Sequence, residues 1–276
     1  MSETNDAIKH VLDDVERFLK QEKELYGDLL YSGDVQQQNQ QSASIVKSRP
    51  SPHVAEGPDL FGNLAGPATP GPKSSQHVDH PYPNEPWVSA TTLDDLNSQI
   101  CECQKCPLGK TRTNFVFGVG NPHADIVVIG EAPGADEDAQ GEPFVGRAGQ
   151  LLNKILEAIH FKREEVYICN ILKCRPPNNR DPLPEEIDSC EPYLWKQMET
   201  IKPKMILCLG RIAGQALLKT NDSLAAMRGK FLDYRGIKLM VTYHPAALLR
   251  NPNWKKPAWE DVQLFRKTYD EMKSST

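Results

Sequence analysis

The fold is decided by the stretch Ile126-Val127-Val128-Ile129-Gly130-Glu131-Ala132-Pro133-Gly134, a short apolar run that ends in a glycine-rich turn. An apolar run of this length predicts a buried strand, and the small residues after it predict a tight turn. Similar runs predict four strands in all: Ile126–Gly130, Val166–Asn170, Met205–Leu209 and Leu239–Tyr243. Helical periodicity predicts helices at 92–101, 147–160, 185–199, 211–219 and 258–272. Strands that alternate with helices predict a three-layer α/β/α domain around a central, mostly parallel four-stranded sheet.

Three of the predicted strands end in residues with useful chemistry. Gly130-Glu131 follows the first strand, Asn170 closes the second, and Tyr243-His244 lies at the end of the last. In sheets of this kind, ligands bind beyond the carboxyl ends of the strands. The sequence therefore predicts a site at that edge.

The composition divides the chain into three parts. Residues 1–31 carry apolar side chains at helical spacing and predict an amphipathic helix, which docks on the main domain, pairs with itself, binds a partner or stays a solvated helix. Residues 32–90 are rich in Gln, Ser and Pro and predict a disordered linker. Residues 91–276 hold the α/β pattern and form the predicted folded domain.

The net negative charge of the protein lies mainly in residues 1–90. Residues 1–90 contain 13 acidic and seven basic side chains, a net charge of −6, whereas the whole chain has −5. The remaining residues therefore carry about +1, which permits a polyanionic partner without indicating one. No apolar run approaches the roughly 18 residues of a membrane span, and the acidic start is unlike a signal peptide, so we expect no membrane association and a cytoplasmic location.

Cysteines form a candidate metal site. In a reducing compartment the seven cysteines are expected to be thiols, metal ligands or reactive groups. A C-x-x-C and two later cysteines are the candidate ligands: Cys103, Cys106, Cys174 and Cys190. Their spacing suits zinc and an iron–sulfur cluster about equally. Cys169 and Cys208 lie inside predicted strands and are predicted to be core thiols. Cys101 is an alternative metal ligand to Cys103.

Four motifs in order resemble those of the family 4, iron–sulfur, uracil-DNA glycosylases. The first is Gly130–Asp138 followed by Gly141–Gly149, and the second is Asn170 with Lys173-Cys174-Arg175-Pro176-Pro177 after it. The late Cys190 and the segment His244–Arg250 complete the match, which covers about residues 93–272. The resemblance implies an enzyme of base excision repair. It flips uracil out of DNA, hydrolyses the N-glycosidic bond, and leaves free uracil and an abasic site.

The resemblance also implies roles for individual residues. It assigns one structural [4Fe-4S] cluster to the four cysteine ligands named above. We expect two catalytic residues: His244 would donate to uracil O2, and Glu131 would stabilise the sugar cation or orient water. The expected uracil-binding residues are Gly130, Ala132, Glu137, Phe144 and Asn170. The expected DNA-binding residues are Arg175, Arg180, Leu248, Leu249 and Arg250.

Within these groups the implied contacts are specific. Phe144 would stack on the flipped ring, Asn170 would distinguish uracil from cytosine, and Glu137 would lie against the C5 edge. The neighbouring Asp136 and Asp138 are expected to be solvated. The basic residues of the proline-rich loop, Lys173, Arg175 and Arg180, are expected to meet phosphates, and Leu248 or Leu249 is expected to wedge the duplex.

Two alternatives accompany this interpretation. A related iron–sulfur group traps DNA covalently through a histidine in an insertion after the second motif, but no histidine lies between Cys174 and Cys190. A non-catalytic, cluster-bearing module that binds nucleic acid or replication proteins is the alternative from another class. The expected partner is uracil-containing DNA, single- or double-stranded, and a protein partner is one of the alternatives for the N-terminal helix. The catalytic domain is expected to be monomeric.

Overall fold

The computed structural model describes residues 84–274 of the 276-residue chain. The predicted helix at 1–31 and the linker up to residue 83 lie outside the described residues. Residues 84–90 belong to the packed domain, because Pro86–Ser89 forms a 3₁₀ helix and Trp87 is buried against Tyr193. The proline-rich composition of this stretch placed it in the predicted linker.

Within the described residues the chain forms α-helices and strands in alternation. The helices are α1 Leu93–Ile100, α2 Ala135–Gln140, α3 Arg147–Ala158, α4 Pro184–Ile201, α5 Arg211–Leu218, α6 Leu224–Met227, α7 Pro245–Arg250 and α8 Lys255–Ser274. The strands are β1 Val119–Gly120, β2 Ile126–Gly130, β3 Tyr167–Asn170, β4 Met205–Leu209, β5 Phe231–Tyr234 and β6 Ile237–Thr242. The five helices predicted from periodicity correspond to α1, α3, α4, α5 and α8.

The strands form one sheet in the order β1-β3-β2-β4-β6-β5. The four predicted strands are confirmed as its parallel centre, and Gly130 lies opposite Asn170 in the β2–β3 register. The sheet has six strands rather than four, because β1 and β5 add to its edges in antiparallel orientation. Both were missed for physical reasons. β1 has two residues, and β5 joins β6 through a two-residue turn with positive φ at Arg235 and Gly236.

Helices cover both faces of the sheet. Val127 and Ile129 of β2 face a core that includes Leu96 of α1 and Leu194 of α4. The intervening Val128 faces a second core that includes residues of α3 and α8. Burial on both faces explains why the central strands are continuous apolar runs. Within residues 84–274, no helix combines the length and apolar character needed to cross a membrane.

Candidate active site

Three of the predicted uracil-binding residues meet at the carboxyl end of the parallel strands. A methyl group built on Gly130 would lie 2.3 Å from Asn170 Oδ1 and 2.6 Å from Phe144 Cζ. Real Cβ atoms are not found at such distances, so this close approach requires glycine at position 130. The motif Gly130–Gly149 thus brings the Phe144 ring, and β3 brings the Asn170 amide, against the end of β2.

The loop that carries Phe144 is held in a strained conformation. Phe144 is buried and has a φ of 55°, in the left-handed region that bulky residues rarely adopt. Helix α3 packs close behind it, since a methyl group on Gly149 would lie 1.8 Å from Phe144 O. Such strain persists only where the surrounding structure fixes it, and it is often found at binding sites.

Glu137 fixes this loop through its carboxylate. Oε1 accepts hydrogen bonds from the amides of Val145 and Gly146 at 3.0 and 3.1 Å, and Oε2 accepts from Gly134 N at 3.1 Å. These bonds give Glu137 a positioning role for Phe144, whereas its contact with the C5 edge of uracil stays a prediction. Ala132, from the same turn, packs half-buried against the core.

The expectation that Asp138 is solvated is wrong. Asp138 is buried, and its carboxylate accepts hydrogen bonds from the amide and hydroxyl of Thr113, both at 2.8 Å. Its main-chain oxygen accepts from Asn114 Nδ2 at 2.7 Å. Because it lies at the N-terminal end of a helix, a carboxylate is also favoured there by the helix dipole. Asp138 therefore ties α2 to the segment before β1.

Asn170 presents an unpaired hydrogen-bond acceptor to the site. Its side chain is 2% exposed, and Oδ1 has no hydrogen-bond partner among the described residues. Buried polar atoms are nearly always paired, so an orphan acceptor beside Phe144 indicates a ligand that supplies the donor. The main-chain oxygen of Asn170 accepts from Lys173 Nζ at 2.9 Å, which fixes the end of β3.

The expectation that Lys173 meets a phosphate is wrong, because this lysine is fully buried. Its Nζ also donates to Gln197 Oε1 at 2.6 Å, and Gln197 Nε2 donates to Phe117 O and Tyr167 Oη. Burial lowers the pKa of Lys173. A basic residue in a proline-rich loop looks exposed in sequence, whereas this one braces the strand end that carries Asn170.

His244 is a neutral imidazole whose free nitrogen carries the proton. Its Nδ1 accepts from the Ala246 amide at 3.2 Å at the start of α7, which assigns the hydrogen to Nε2. Burial, with a smaller effect of Arg250, lowers the pKa of His244 to about 4. The ring lies beside that of Phe144. His244 is therefore arranged as a neutral donor at the same strand edge.

Glu131 lies half-buried among charged residues. Burial, and then the nearby carboxylate of Asp181, raise the pKa of Glu131 to about 7, against the lowering effects of Arg211 and Arg250. A carboxyl that titrates near neutrality in this position is a candidate for catalysis. Sequence reasoning missed Asp181 and Arg211. Arg211 follows the end of β4, so the rule that found the other strand-end residues also applies to it.

Helix α7 separates the two candidate wedge leucines. Leu248 is 2% exposed, whereas Leu249 is 40% exposed. Successive helical residues point about 100° apart, so Leu248 faces inwards and Leu249 is the accessible one of the two, while contact of either leucine with DNA stays a prediction. Leu249 and the exposed Arg250 remain available to DNA.

The two arginines of the proline-rich loop both have protein partners. Arg175 Nε donates to Asn179 Oδ1 at 2.8 Å. Arg180 donates to both carboxylate oxygens of Glu186, at 2.9 and 2.6 Å, near the first turn of α4. Because Glu186 is buried, this pair anchors the loop, and DNA binding by either arginine stays a prediction.

The four candidate ligand cysteines are free thiols; Cys174 and Cys190 belong to one core cluster, and Cys103 and Cys106 pack against it. Burial raises the pKa of Cys174 and of Cys190, and smaller contributions come from Cys103 and Cys106 for Cys174 and from Cys174 and Cys103 for Cys190, so the thiols interact. Each of three of these sulfurs also accepts a hydrogen bond from a nitrogen atom. These bonds run from Lys105 N to Cys103, Arg112 Nη1 to Cys174 and Lys173 N to Cys190, at 3.5, 3.4 and 3.3 Å.

This donor set suits a thiolate-bound cluster, because N–H groups directed at sulfur stabilise its negative charge. Among residues 84–274, no three His, Cys, Asp or Glu residues are arranged to hold a single metal ion. Cys101 lies at the end of α1, where its sulfur is 3.7 Å from Ser98 O. Cys169 and Cys208 are confirmed as core residues.

Comparison with known proteins agrees with the motifs. The model of the uracil DNA glycosylase superfamily matches residues 117–263, which is more than half of the chain and includes Glu131, Phe144, Asn170 and His244. A type-4 uracil-DNA glycosylase of Archaeoglobus fulgidus is 49% identical over 180 residues, covering 62% of this chain and 90% of the relative. The chain belongs to the type-4 uracil-DNA glycosylase family.

Other members are similarly close. The type-4 uracil-DNA glycosylase of Saccharolobus solfataricus is 47% identical over 66% of this chain and 87% of its own length. That of Thermotoga maritima is 45% identical over 58% of this chain and 84% of its own length. The family expected from the motifs is thereby confirmed. Cys103 and Cys106 lie before the matched range of the superfamily model.

Proposed function

We propose that this protein removes uracil from DNA by hydrolysing the bond between the sugar C1′ and uracil N1, as an enzyme of base excision repair. Membership of the type-4 uracil-DNA glycosylases supports this function. The structural observation that carries it is the buried Oδ1 of Asn170, which lacks a partner and lies beside Phe144. Uracil N3–H supplies the donor that this atom lacks.

Recognition requires the target nucleotide to leave the base stack. Flipping it out costs a few kcal/mol, and stacking on an aromatic ring returns about 1–3 kcal/mol. Phe144 provides that ring. Asn170 accepts from N3–H through Oδ1 and donates to O4 through Nδ2, whereas cytosine presents the reverse pattern of donor and acceptor. The rigid loop around Phe144 keeps this geometry fixed before the substrate arrives.

Bond cleavage places negative charge on the departing uracil and positive charge on the sugar. His244 donates from Nε2 to uracil O2, where a fixed neutral donor stabilises the charge that develops in the transition state. Glu131, when ionised, stabilises the sugar cation and orients the attacking water. The water oxygen bonds to C1′, and the uracil anion gains a proton, so the products are free uracil and an abasic site.

We further propose that Cys103, Cys106, Cys174 and Cys190 hold one [4Fe-4S] cluster with a structural role. The support is the set of four interacting thiols and the N–H donors around them. The bound cluster supplies a rigid cross-link between the segment after α1, the proline-rich loop and α4. The chemistry of uracil release uses none of its electrons. A cytoplasmic location and a monomeric catalytic domain remain predictions from the sequence.

The test is incubation of the full-length protein with a single-stranded oligonucleotide that contains one uracil, followed by alkali. We expect strand cleavage at the uracil position and release of free uracil, with thymine and cytosine in the same place as negative controls. Asn170→Asp is the matched variant, because it retains the size of the side chain but changes its donors. A folded, cluster-loaded protein that leaves the uracil strand intact would refute the proposed function.

A further inference from the structure

Trp254 is an exposed aromatic residue four residues beyond the end of helix α7, which carries the candidate DNA-binding residues Leu249 and Arg250. Its side chain is 40% exposed, and its ring stacks on that of Tyr243 with centroids 5.4 Å apart and planes 21° apart. The guanidinium of Arg228 also lies over the Tyr243 ring, 5.2 Å from its centroid. The exposed indole is therefore one layer of an ordered stack.

The surrounding structure holds Trp254 in place. It ends the 3₁₀ turn Pro252–Trp254, in which its amide donates to Asn251 O and the Asn251 side chain accepts from Asn253 N. Arg228 is itself fixed by two hydrogen bonds to Asp261, at 3.0 and 2.8 Å. A ring that is ordered before binding loses little conformational freedom when it contacts a ligand.

Its position places Trp254 close to the candidate uracil site. Tyr243, on which it stacks, directly precedes His244, and Trp254 follows the exposed Leu249 by five residues. Five residues span at most about 18 Å, and the helical path here is shorter. Since successive bases along one strand of a duplex are about 3.4 Å apart, this reach covers only a few nucleotides. The exposed Arg250 lies between the two in sequence, where its charge suits a phosphate backbone.

We propose that the exposed face of Trp254 stacks on a base of the substrate strand near the flipped uracil. This contact rests on the proposed function and adds a second base-binding position outside the uracil pocket. Aromatic stacking accepts any base, because every base has a π-face, so the contact would strengthen binding without selecting sequence. The adjacent arginine and candidate uracil site favour a nucleic-acid base over a protein side chain as the occupant.

The test measures single-turnover uracil release from single-stranded oligonucleotides with full-length protein. Each of the three nucleotides on either side of the uracil is replaced in turn by an abasic analogue, which removes one base and keeps the backbone. For the wild type, we expect one position at which this raises the half-saturating protein concentration about 5- to 150-fold, which corresponds to ~1–3 kcal/mol. Trp254→Ala should show the same rise in half-saturating concentration on the intact strand. The abasic analogue at that position should then raise the half-saturating concentration of this variant no further.

Two variants complete the design. Trp254→Phe keeps an aromatic face and should retain part of the sensitivity to the missing base. Trp259→Ala is the matched control, because Trp259 is equally exposed but lies on α8. It should behave as the wild type.

The possible outcomes separate this contact from the proposed function. Equal sensitivity of the wild type and Trp254→Ala at every position would overturn the stacking proposal, as would unchanged binding of the intact strand by Trp254→Ala. Weaker binding that does not depend on any neighbouring base would also overturn it, and would assign Trp254 to support of α7. If the wild type released no uracil from any oligonucleotide, the proposed function itself would fail.

Discussion

The imidazole ring of His244 lies 5.5 Å from the phenyl ring of Phe144, measured between centroids, with the ring planes tilted by 32°. The two residues come from distant parts of the chain, Phe144 from the loop between α2 and α3 and His244 from just after the end of β6. Because Phe144 also lies against Gly130 and Asn170, all four residues belong to one group at the carboxyl edge of the sheet. The contribution of each of these residues to uracil release and to stability can therefore be measured by replacing it.

Replacement of Asn170 by leucine should separate function from stability. Oδ1 has no partner among residues 84–274, so its removal should leave the free energy of unfolding unchanged or raise it by about 1 kcal/mol. Uracil release should fall at least about 100-fold, since a buried donor–acceptor pair with the base is lost. Urea unfolding and single-turnover kinetics measure the two effects.

Gln197→Leu is the matched control for this prediction. Gln197 is also a fully buried amide, but it bonds to Lys173, Tyr167 and Phe117. Its loss leaves Lys173 Nζ short of a buried partner and should cost at least about 1–3 kcal/mol. If Asn170→Leu destabilised the protein as much as Gln197→Leu, Asn170 would be a structural residue and the orphan acceptor would have no functional meaning.

Adjacent leucines on α7 should respond in opposite ways to truncation. Leu248→Ala removes a buried side chain and should lower the free energy of unfolding by about 2–5 kcal/mol. Leu249→Ala should change stability by less than about 0.5 kcal/mol, because its side chain is exposed. Its effect should appear in catalysis instead, where uracil release from duplex DNA slows more than release from single strands. A wedge is needed only where a duplex must be opened.

The comparison of the two substrates decides this prediction. Equal slowing of Leu249→Ala on single- and double-stranded DNA would assign Leu249 to general DNA contact. Wild-type rates on both would remove it from the DNA interface. Thermal unfolding of each variant verifies that the rates refer to folded protein.

Strand-end residues could be located from sequence because their position depends on a regular pattern. Apolar runs mark buried parallel strands, and the residues after them, Glu131, Asn170 and His244, necessarily share one edge. The burial of Lys173 and Leu248 could not be found in this way. Each depends on which neighbour packs over a loop or a short helix, and local sequence does not contain that information. A lysine is usually exposed, and this one is buried because Gln197 Oε1 and the main-chain oxygen of Asn170 both accept hydrogen bonds from its Nζ.

Cys101 and Cys103 provide a matched test of the ligand set. Cys103→Ser should lower the iron content of the purified protein and its thermal unfolding temperature, because Cys103 is one of the four proposed cluster ligands. Cys101→Ser should leave about four iron atoms per chain, since the Cys101 sulfur is directed at Ser98 O. Iron and sulfide analysis, together with visible absorption, measures both. Equal iron loss in the two variants, or stoichiometric zinc in the wild type, would contradict the assignment.

Glu131 should impose a pH dependence on uracil release. If the ionised carboxylate stabilises the sugar cation, the single-turnover rate rises with pH through about 7 and levels off above about 8. His244 does not account for this change, because its pKa is lowered to about 4. Asp181→Asn removes the nearby like charge and should move the rise to lower pH. Arg211→Gln removes a favourable charge and should move it to higher pH.

Ionisation of Glu131 should make the folded protein less stable as the pH rises, whereas it makes uracil release faster. The pKa of Glu131 is raised from 4.5 to about 7, so the folded state binds the proton more tightly than the unfolded state. Its contribution to stability is therefore greatest below about pH 4.5 and is lost as the pH rises through 7. Glu131→Gln should accordingly raise the unfolding temperature relative to the wild type at pH 8 and not at pH 4, while it slows uracil release at pH 8. A rate profile without a rise near pH 7, or one that Asp181→Asn does not shift, would exclude Glu131 as the titrating group.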